Sequence, residues 1–245
     1  MIDSLKRRRP AFLASVTSAD EASLALAGGA DVIDCKDPKS GALGALPEAT
    51  VREIVARIGG RLPVSATVGD LPSDPKVLTA AAVTMAATGV DIVKVGFFGN
   101  ADARAAIAAL GQERLSGARL VAVLMADQKP DFTLISHLSA HTFAGVMLDT
   151  ADKSAGRLTS ILAADSLSEF VETARAHHLM CGLAGSLRME DIAGLASHGP
   201  DILGFRGALC ASGRTSQLDP TRLAAVRLEI GRARDTTTAQ ERSVA

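Results

Sequence analysis

The chain has no tryptophan and no tyrosine, and aromatic residues make up only 3% of it. Single-stranded nucleic acid is held on aromatic stacking platforms, so this poverty argues against such a surface. Charge of one sign is lacking too. The 26 Lys and Arg nearly balance 27 Asp and Glu, a formal net charge of −1, which leaves no bulk field for nucleic acid or an anionic membrane. Cysteine is scarce, and Cys35, Cys181 and Cys210 form no C-x-x-C pair. They read as reduced thiols of a cytoplasmic protein, neither a disulfide frame nor a zinc site. No apolar run approaches the ~18 residues that cross a bilayer. Phe12–Val16 is too short for a signal-peptide core, and Arg7–Arg9 reads as a solvated lead-in to the first strand, with anion binding as the alternative. The five histidines, His137, His141, His177, His178 and His198, fall on expected helices or their ends. They read as structural or solvated, and no metal site is expected.

What the chain does have is repetition of a simple kind. Eight short apolar runs recur: Phe12–Val16, Val32–Cys35, Pro63–Val68, Asp91–Val95, Leu120–Met125, Gly145–Leu148, Met180–Ala184 and Ile202–Phe205. Continuous runs of this length suit parallel strands covered on both faces. Helical patterns lie between them, at Asp20–Ala27, Pro47–Ile58, Asp74–Thr88, Ala101–Gly111, Asp131–Ala140, Ser166–His177, Arg188–Ser197 and Asp219–Ile230. In the second of these, Val51, Ile54, Val55 and Ile58 form one stripe before Gly59-Gly60 stops the helix. A helix after every strand, eight times, predicts an α/β protein of the (β/α)₈ TIM-barrel class, over residues 1–231, with a polar tail at 232–245 expected to be disordered. An open doubly wound sheet is the alternative, but G-x-G-x-x-G is absent after the first run. The phrases GADVI (Gly29–Ile33), GVDIV (Gly89–Val93) and GPDIL (Gly199–Leu203) each close a helix and open a strand, so they read as scaffolding of the bottom face.

Catalytic residues of this fold come from the C-terminal ends of strands. There the second run carries Asp34 and Lys36, the fourth Lys94, and the sixth Asp149 followed by Lys153. Side chains two apart on a strand point the same way, so Asp34 and Lys36 can both face the barrel axis. Lys94 sits among Val and Ile, where an unpaired ammonium costs several kcal/mol (about 3 or more), so it needs a carboxylate partner or a reason to be neutral. Crowded lysines disfavour each other's protonated form. A neutral amine can attack a carbonyl to form a Schiff base, and neighbouring aspartates can move protons.

The seventh and eighth runs lead into GLAGSL and GFRGA. Small residues there let backbone amides approach an anion, at the usual phosphate site of the fold. Gly185, Ser186, Arg206 and Gly207 are the candidates, with pairing to a carboxylate as the alternative for Arg206. The long loop Asp37–Pro47, with Lys39, Gly41 and Gly44, could close over substrate as a lid, a point the sequence leaves open, and Asp70 is a weaker site candidate.

The segments GGADVIDCKDPKSGALGA, VSATVGDLP, DIVKVGFFG, MLDTADK, CGLAGSL and ILGFRGALC together resemble the (5-formylfuran-3-yl)methyl phosphate synthase family of methanofuran biosynthesis. The resemblance implies a TIM-barrel enzyme that condenses two glyceraldehyde-3-phosphate molecules with loss of phosphate and water. It places the Schiff-base lysine on Lys36, further active-site lysines on Lys94 and Lys153, and acidic residues on Asp34 and Asp149. It implies a small phosphorylated substrate, no cofactor, and no nucleic-acid or membrane partner. A homo-oligomer is compatible with the sequence. Asp37, where the family often has Asn, and ASGRTSQ after Cys210, which lacks a frequent acidic residue, depart from the pattern. Another Schiff-base aldolase acting on a phosphorylated sugar, or a phosphate-ligand binding protein without catalysis, are the competing readings.

Overall fold

The structure, a computed structural model, describes residues 10–99 and 103–244, with the side chains of the last helix described as far as Arg234. Arg7–Arg9 lie outside the described residues. Eight strands form one closed parallel barrel in sequential order. They are β1 (Ala11–Val16), β2 (Val32–Cys35), β3 (Val64–Thr67), β4 (Ile92–Phe97), β5 (Arg119–Met125), β6 (Gly145–Asp149), β7 (Met180–Leu183) and β8 (Ile202–Phe205). The helices are α1 (Ala19–Ala27), α2 (Glu48–Ile58), α3 (Pro75–Ala86), α4 (Ala103–Leu110), α5 (Leu134–Ala140), α6 (Leu158–Ile161), α7 (Ala164–Ala176), α8 (Ile192–Ser197) and α9 (Pro220–Val244). The open sheet is thereby excluded.

Period-two alternation sorts each strand into two faces. Phe12, Ala14, Ile33, Cys35, Val93, Val95, Val146 and Leu148 point outward into the core shared with the helices. Leu13, Val32, Ile92, Val123, Met147 and Met180 point inward and fill the lower barrel. Local signals agree with this packing. Ser18 caps α1 by accepting from Glu21 N, and Asp74 with Pro75 opens α3 by accepting from Lys76 N and Val77 N. Gly59, at φ 58°, closes α2 in the left-handed conformation.

The three Gly-x-Asp phrases do their work on a neighbour. Asp31 accepts from Phe12 N at 2.9 Å, Asp91 from Val64 N at 2.8 Å, and Asp201 from Cys181 N at 2.9 Å. Each aspartate before a strand thus satisfies an amide at the start of the preceding strand. Asp31 also pairs with Arg227 and Arg234 of α9. Those pairs bear on the chain end. The helix continues through the polar segment expected to be a disordered tail from 232, with Ala233 buried and Arg234 donating to Pro10 O. Between Gly231 and Val244 the segment has neither Gly nor Pro, the two residues that most strongly break a helix.

Candidate active site

At the top of the barrel the inward row turns from apolar to ionic. Asp34 on β2 stands in register with Ser15 on β1 and Ser65 on β3. Both hydroxyls donate to it, Ser15 at 2.9 Å and Ser65 at 2.6 Å. Lys94 of β4 completes the set at 3.0 Å from Asp34 Oδ1. Asp34 is fully buried and Lys94 is 4% exposed. Burial pushes the Asp34 carboxyl up, but Lys94, Lys36 and the Ser65 hydrogen bond outweigh it and hold it below the ordinary carboxylate value.

Across the barrel, Asp149 ends β6 and faces two lysines. Lys36 Nζ lies 3.2 Å from Asp149 Oδ2. Lys153, one helical turn further in sequence, contacts Asp149 Oδ1 and donates to Thr150 Oγ1 at 3.2 Å. Burial raises the Asp149 carboxyl; Lys36 and Lys153 more than reverse that, so it stays ionised far into acid. Lys153 shifts the other way. Burial lowers its proton affinity, Asp149 opposes this, and Lys36 adds to the lowering. The loop that carries Lys153 is held from β5's end: Asp127 accepts from Ala151 N at 2.8 Å and Asp152 N at 2.7 Å.

These five side chains line one cavity of about 620 Å³ together with Gly185, Ser186, Arg206 and Gly207, a volume within the range of about 300–1,000 Å³ typical of small-molecule sites. Gly185 (φ 112°) and Ser186 (φ 51°) both take positive φ in the turn after β7. A Cβ on Gly185 would come within 2.9 Å of Thr150, so glycine is required there by space as well as by φ. The Gly185, Ser186 and Leu187 N–H groups have no acceptor among the described residues.

Of the two partners weighed for Arg206, the structure shows the carboxylate. Its guanidinium donates to both oxygens of buried Glu21, at 2.6 and 3.2 Å. The remaining N–H groups go to Ser15 O, Arg214 O and Ser216 O. All five donors are taken, so Arg206 braces the wall and has none to spare for a phosphate. Glu21 in turn accepts from Thr17 N and Leu218 N.

The loop after β2 is not an open lid. Asp70 accepts from Ala42 N at 2.7 Å and Leu43 N at 2.6 Å, and Thr67 Oγ1 donates to Gly44 O. Leu43 is fully buried in the barrel interior. It occupies the space at Gly96, where any Cβ would come within 2.6 Å of it. This plug fills the β4 side of the mouth, and the cavity opens toward β7, β8 and β1. Within it the tip, Lys39–Gly41, and the last residue, Pro47, are exposed. Asp70 therefore anchors the loop and does not line the cavity. Asp37 caps its own turn, accepting from Lys39 N and Ser40 Oγ, so its departure from the family pattern concerns the loop.

Sequence reading missed Ser15, Ser65, Glu21, Asp127 and Arg214. The two serines could have been found from strand register, which puts them beside Asp34. Nothing local signals the others. None of the five histidines lines the cavity. Among the described residues no group of three or more His, Cys, Asp or Glu is arranged to hold a metal ion, and no helix is long and apolar enough to cross a membrane.

Comparison with known proteins bears on the family and the fold of the whole chain. Residues 12–227 match the model of a family described as 4-HFC-P synthase. A Methylorubrum extorquens protein, provisionally named a (5-formylfuran-3-yl)methyl phosphate synthase, is 48% identical over 224 residues, covering 91% of this chain and 92% of its own. The (5-formylfuran-3-yl)methyl phosphate synthase of Methanopyrus kandleri is 38% identical over 216 residues, 84% of this chain and 91% of its own. Among solved structures, phosphoribosyl anthranilate isomerase from Thermus thermophilus superposes with a TM-score of 0.65 over 91% of this chain and 98% of its own. At 13% identity that likeness concerns the barrel alone.

Proposed function

This chain belongs to the 4-HFC-P synthase family, and from that premise we propose that it condenses two glyceraldehyde-3-phosphate molecules into (5-formylfuran-3-yl)methyl phosphate. One inorganic phosphate and two waters leave, which makes it a carbon–oxygen lyase acting on phosphates. The product serves a methanofuran-type cofactor in the cytoplasm. The observation that supports this reading best is the meeting of Lys36, Lys94, Lys153, Asp34 and Asp149 in one cavity beside a turn with unused N–H groups.

Lys36 is the nucleophile. Its Nζ adds to the carbonyl of one triose, water leaves, and the iminium becomes the electron sink, so no further cofactor is required. Lys153, whose proton affinity burial lowers, takes up in its neutral form the proton that Lys36 must lose. Asp34 or Asp149 removes the α-proton, giving an enamine. A carbon–carbon bond forms with the second triose, one phosphate departs with its C–O bonding pair, and ring closure with dehydration completes the furan. Lys94 holds Asp34 in place. The N–H groups at Gly185, Ser186 and Gly207 hold the phosphate that the product keeps.

Turnover is the test. With glyceraldehyde-3-phosphate as the sole substrate, a furan aldehyde appears in the ultraviolet with one inorganic phosphate released per furan. A product that keeps both phosphates and does not absorb points to an ordinary aldolase. Tight triose binding without turnover points to a binding protein.

A further inference from the structure

Two phosphorylated substrates bring two dianionic groups into one cavity, and each needs cationic or N–H partners of its own. This inference rests on the condensation proposed above. The turn after β7 provides for one phosphate. Nearly all the cations around the cavity are spent: Lys94 on Asp34, Lys36 and Lys153 on Asp149, and Arg206 on Glu21 and three carbonyls. Arg188 and Arg222 are exposed at the outer rim.

Arg214 differs from all of these. It lines the cavity and is half-buried, yet among the described residues it forms no ion pair. Its backbone is fixed from below, because Arg206 Nε donates to Arg214 O at 2.9 Å. The segment around it is closed by a bridge between Cys210 and Leu218 and by Ala211 N donating to Gln217 O. A Cβ on Gly207 would sit 3.8 Å from Arg214 Cβ, which puts the root of the side chain beside the end of β8. The guanidinium donates to Gly41 O at 2.9 Å, in the loop after β2. The side chain therefore crosses the mouth from β8 toward β2, past β1. Asp149, Asp70 and Asp37 act on it from a distance, and its charge acts on Lys153. Among the described residues one of its five N–H donors has a protein acceptor, Gly41 O; the rest are available to a ligand.

We infer that Arg214 binds the second phosphate, on the β2 side of the cavity, and that this is the phosphate expelled. A guanidinium stays protonated throughout and balances the charge left on phosphate oxygen when the C–O bond breaks. A side chain tethered by one hydrogen bond also lets its anion leave more readily than a turn of rigid backbone does. The proton lost from carbon goes to a carboxylate, as in the scheme above, so no other reactant is needed.

Inorganic phosphate titrated by calorimetry into the full chain tests this without turnover. The wild type binds two phosphates, and Arg214→Met binds one. Arg214→Lys keeps the charge and loses the fork, and its second site weakens by about tenfold, the size expected for a charge-assisted hydrogen bond. A melting curve unchanged between wild type and variants shows that the fold is kept. The inference is overturned if Arg214→Met binds two phosphates with wild-type affinities, or if it loses both. A wild type that makes no furan while Arg214→Met still loses one site would sink the condensation and leave the arginine site standing.

Discussion

Lys36 Nζ lies 3.2 Å from Asp149 Oδ2, although 113 residues separate the two and their strands stand on opposite sides of the barrel. Because Asp149 also receives Lys153, one carboxylate holds two amines beside a cavity. Such an arrangement keeps a nucleophile and a proton acceptor within reach of each other.

Lys36→Ala is expected to lower turnover by on the order of 10³-fold or more, since the covalent route is lost. Lys153→Ala is expected to lose about 10²–10⁴-fold, the range for one general acid–base group, because the imine on Lys36 then forms more slowly, though it still forms. Furan absorbance and borohydride trapping read the two effects separately. If Lys153→Ala abolishes the adduct and Lys36→Ala keeps it, the roles are exchanged.

Asp34 and Lys94 are a buried pair whose halves depend on each other. Asp34→Ala leaves the Lys94 ammonium without its carboxylate at 4% exposure, at a cost of about 3–5 kcal/mol. That corresponds to a fall in melting temperature of roughly 10 °C for a chain of this size. The double change Asp34→Leu with Lys94→Met is expected to recover most of the loss and none of the activity. Thermal melts of the three proteins check it; a single variant as stable as the double one contradicts the pairing.

Both aspartates have native carboxyls held below their unfolded values. The stability they contribute is therefore complete above the ordinary carboxylate pKa of about 3.9 and is lost as pH falls through the depressed native values. Melting temperature should vary little with these groups above about pH 5 and drop in stronger acid. Lys36→Met removes one cation from Asp149 and is expected to move that acid limb to higher pH. An unmoved limb would show that Lys36 does not hold Asp149 ionised. On the basic side, Lys153 titrates below the ordinary 10.5, so the alkaline rise in kcat/KM should be complete below the lysine range and should change in Lys153→Ala.

Asp70 ties the loop after β2 through the amides of Ala42 and Leu43. Asp70→Ala removes both bonds, at about 1–3 kcal/mol each, and frees Leu43 from its place at Gly96. Faster hydrogen exchange across residues 41–44 and a raised KM are expected. Exchange no faster than in the wild type would mean that Leu43 packing alone holds the loop.

Much of this architecture was legible in the sequence because it depends on local periodicity. The eight apolar runs became β1 to β8, and the i, i+2 spacing of Asp34 and Lys36 put both into the barrel. What escaped depends on partners far apart in sequence. Arg206 lies 185 residues from Glu21, and GFRG reads the same whether its arginine meets a phosphate or a buried carboxylate. Asp70 looked like a site residue, yet its acceptors are spent on amides 27 and 28 residues back. Arg214 sits in a segment with no periodic pattern, and the grip of Arg206 on its carbonyl, the Cys210–Leu218 bridge and the bond to Gly41 O, all to partners outside any local repeat, place it at the cavity. The polar stretch after Gly231 looked like a free tail because its anchor, Asp31, belongs to the start of β2.

The central claim is that Lys36 forms the covalent intermediate, and borohydride reduction during turnover of glyceraldehyde-3-phosphate tests it most directly. Peptide mapping by mass spectrometry should find the reduced triose adduct on Lys36, and none in Lys36→Ala. Furan formation and phosphate release with no adduct on any lysine would contradict the account.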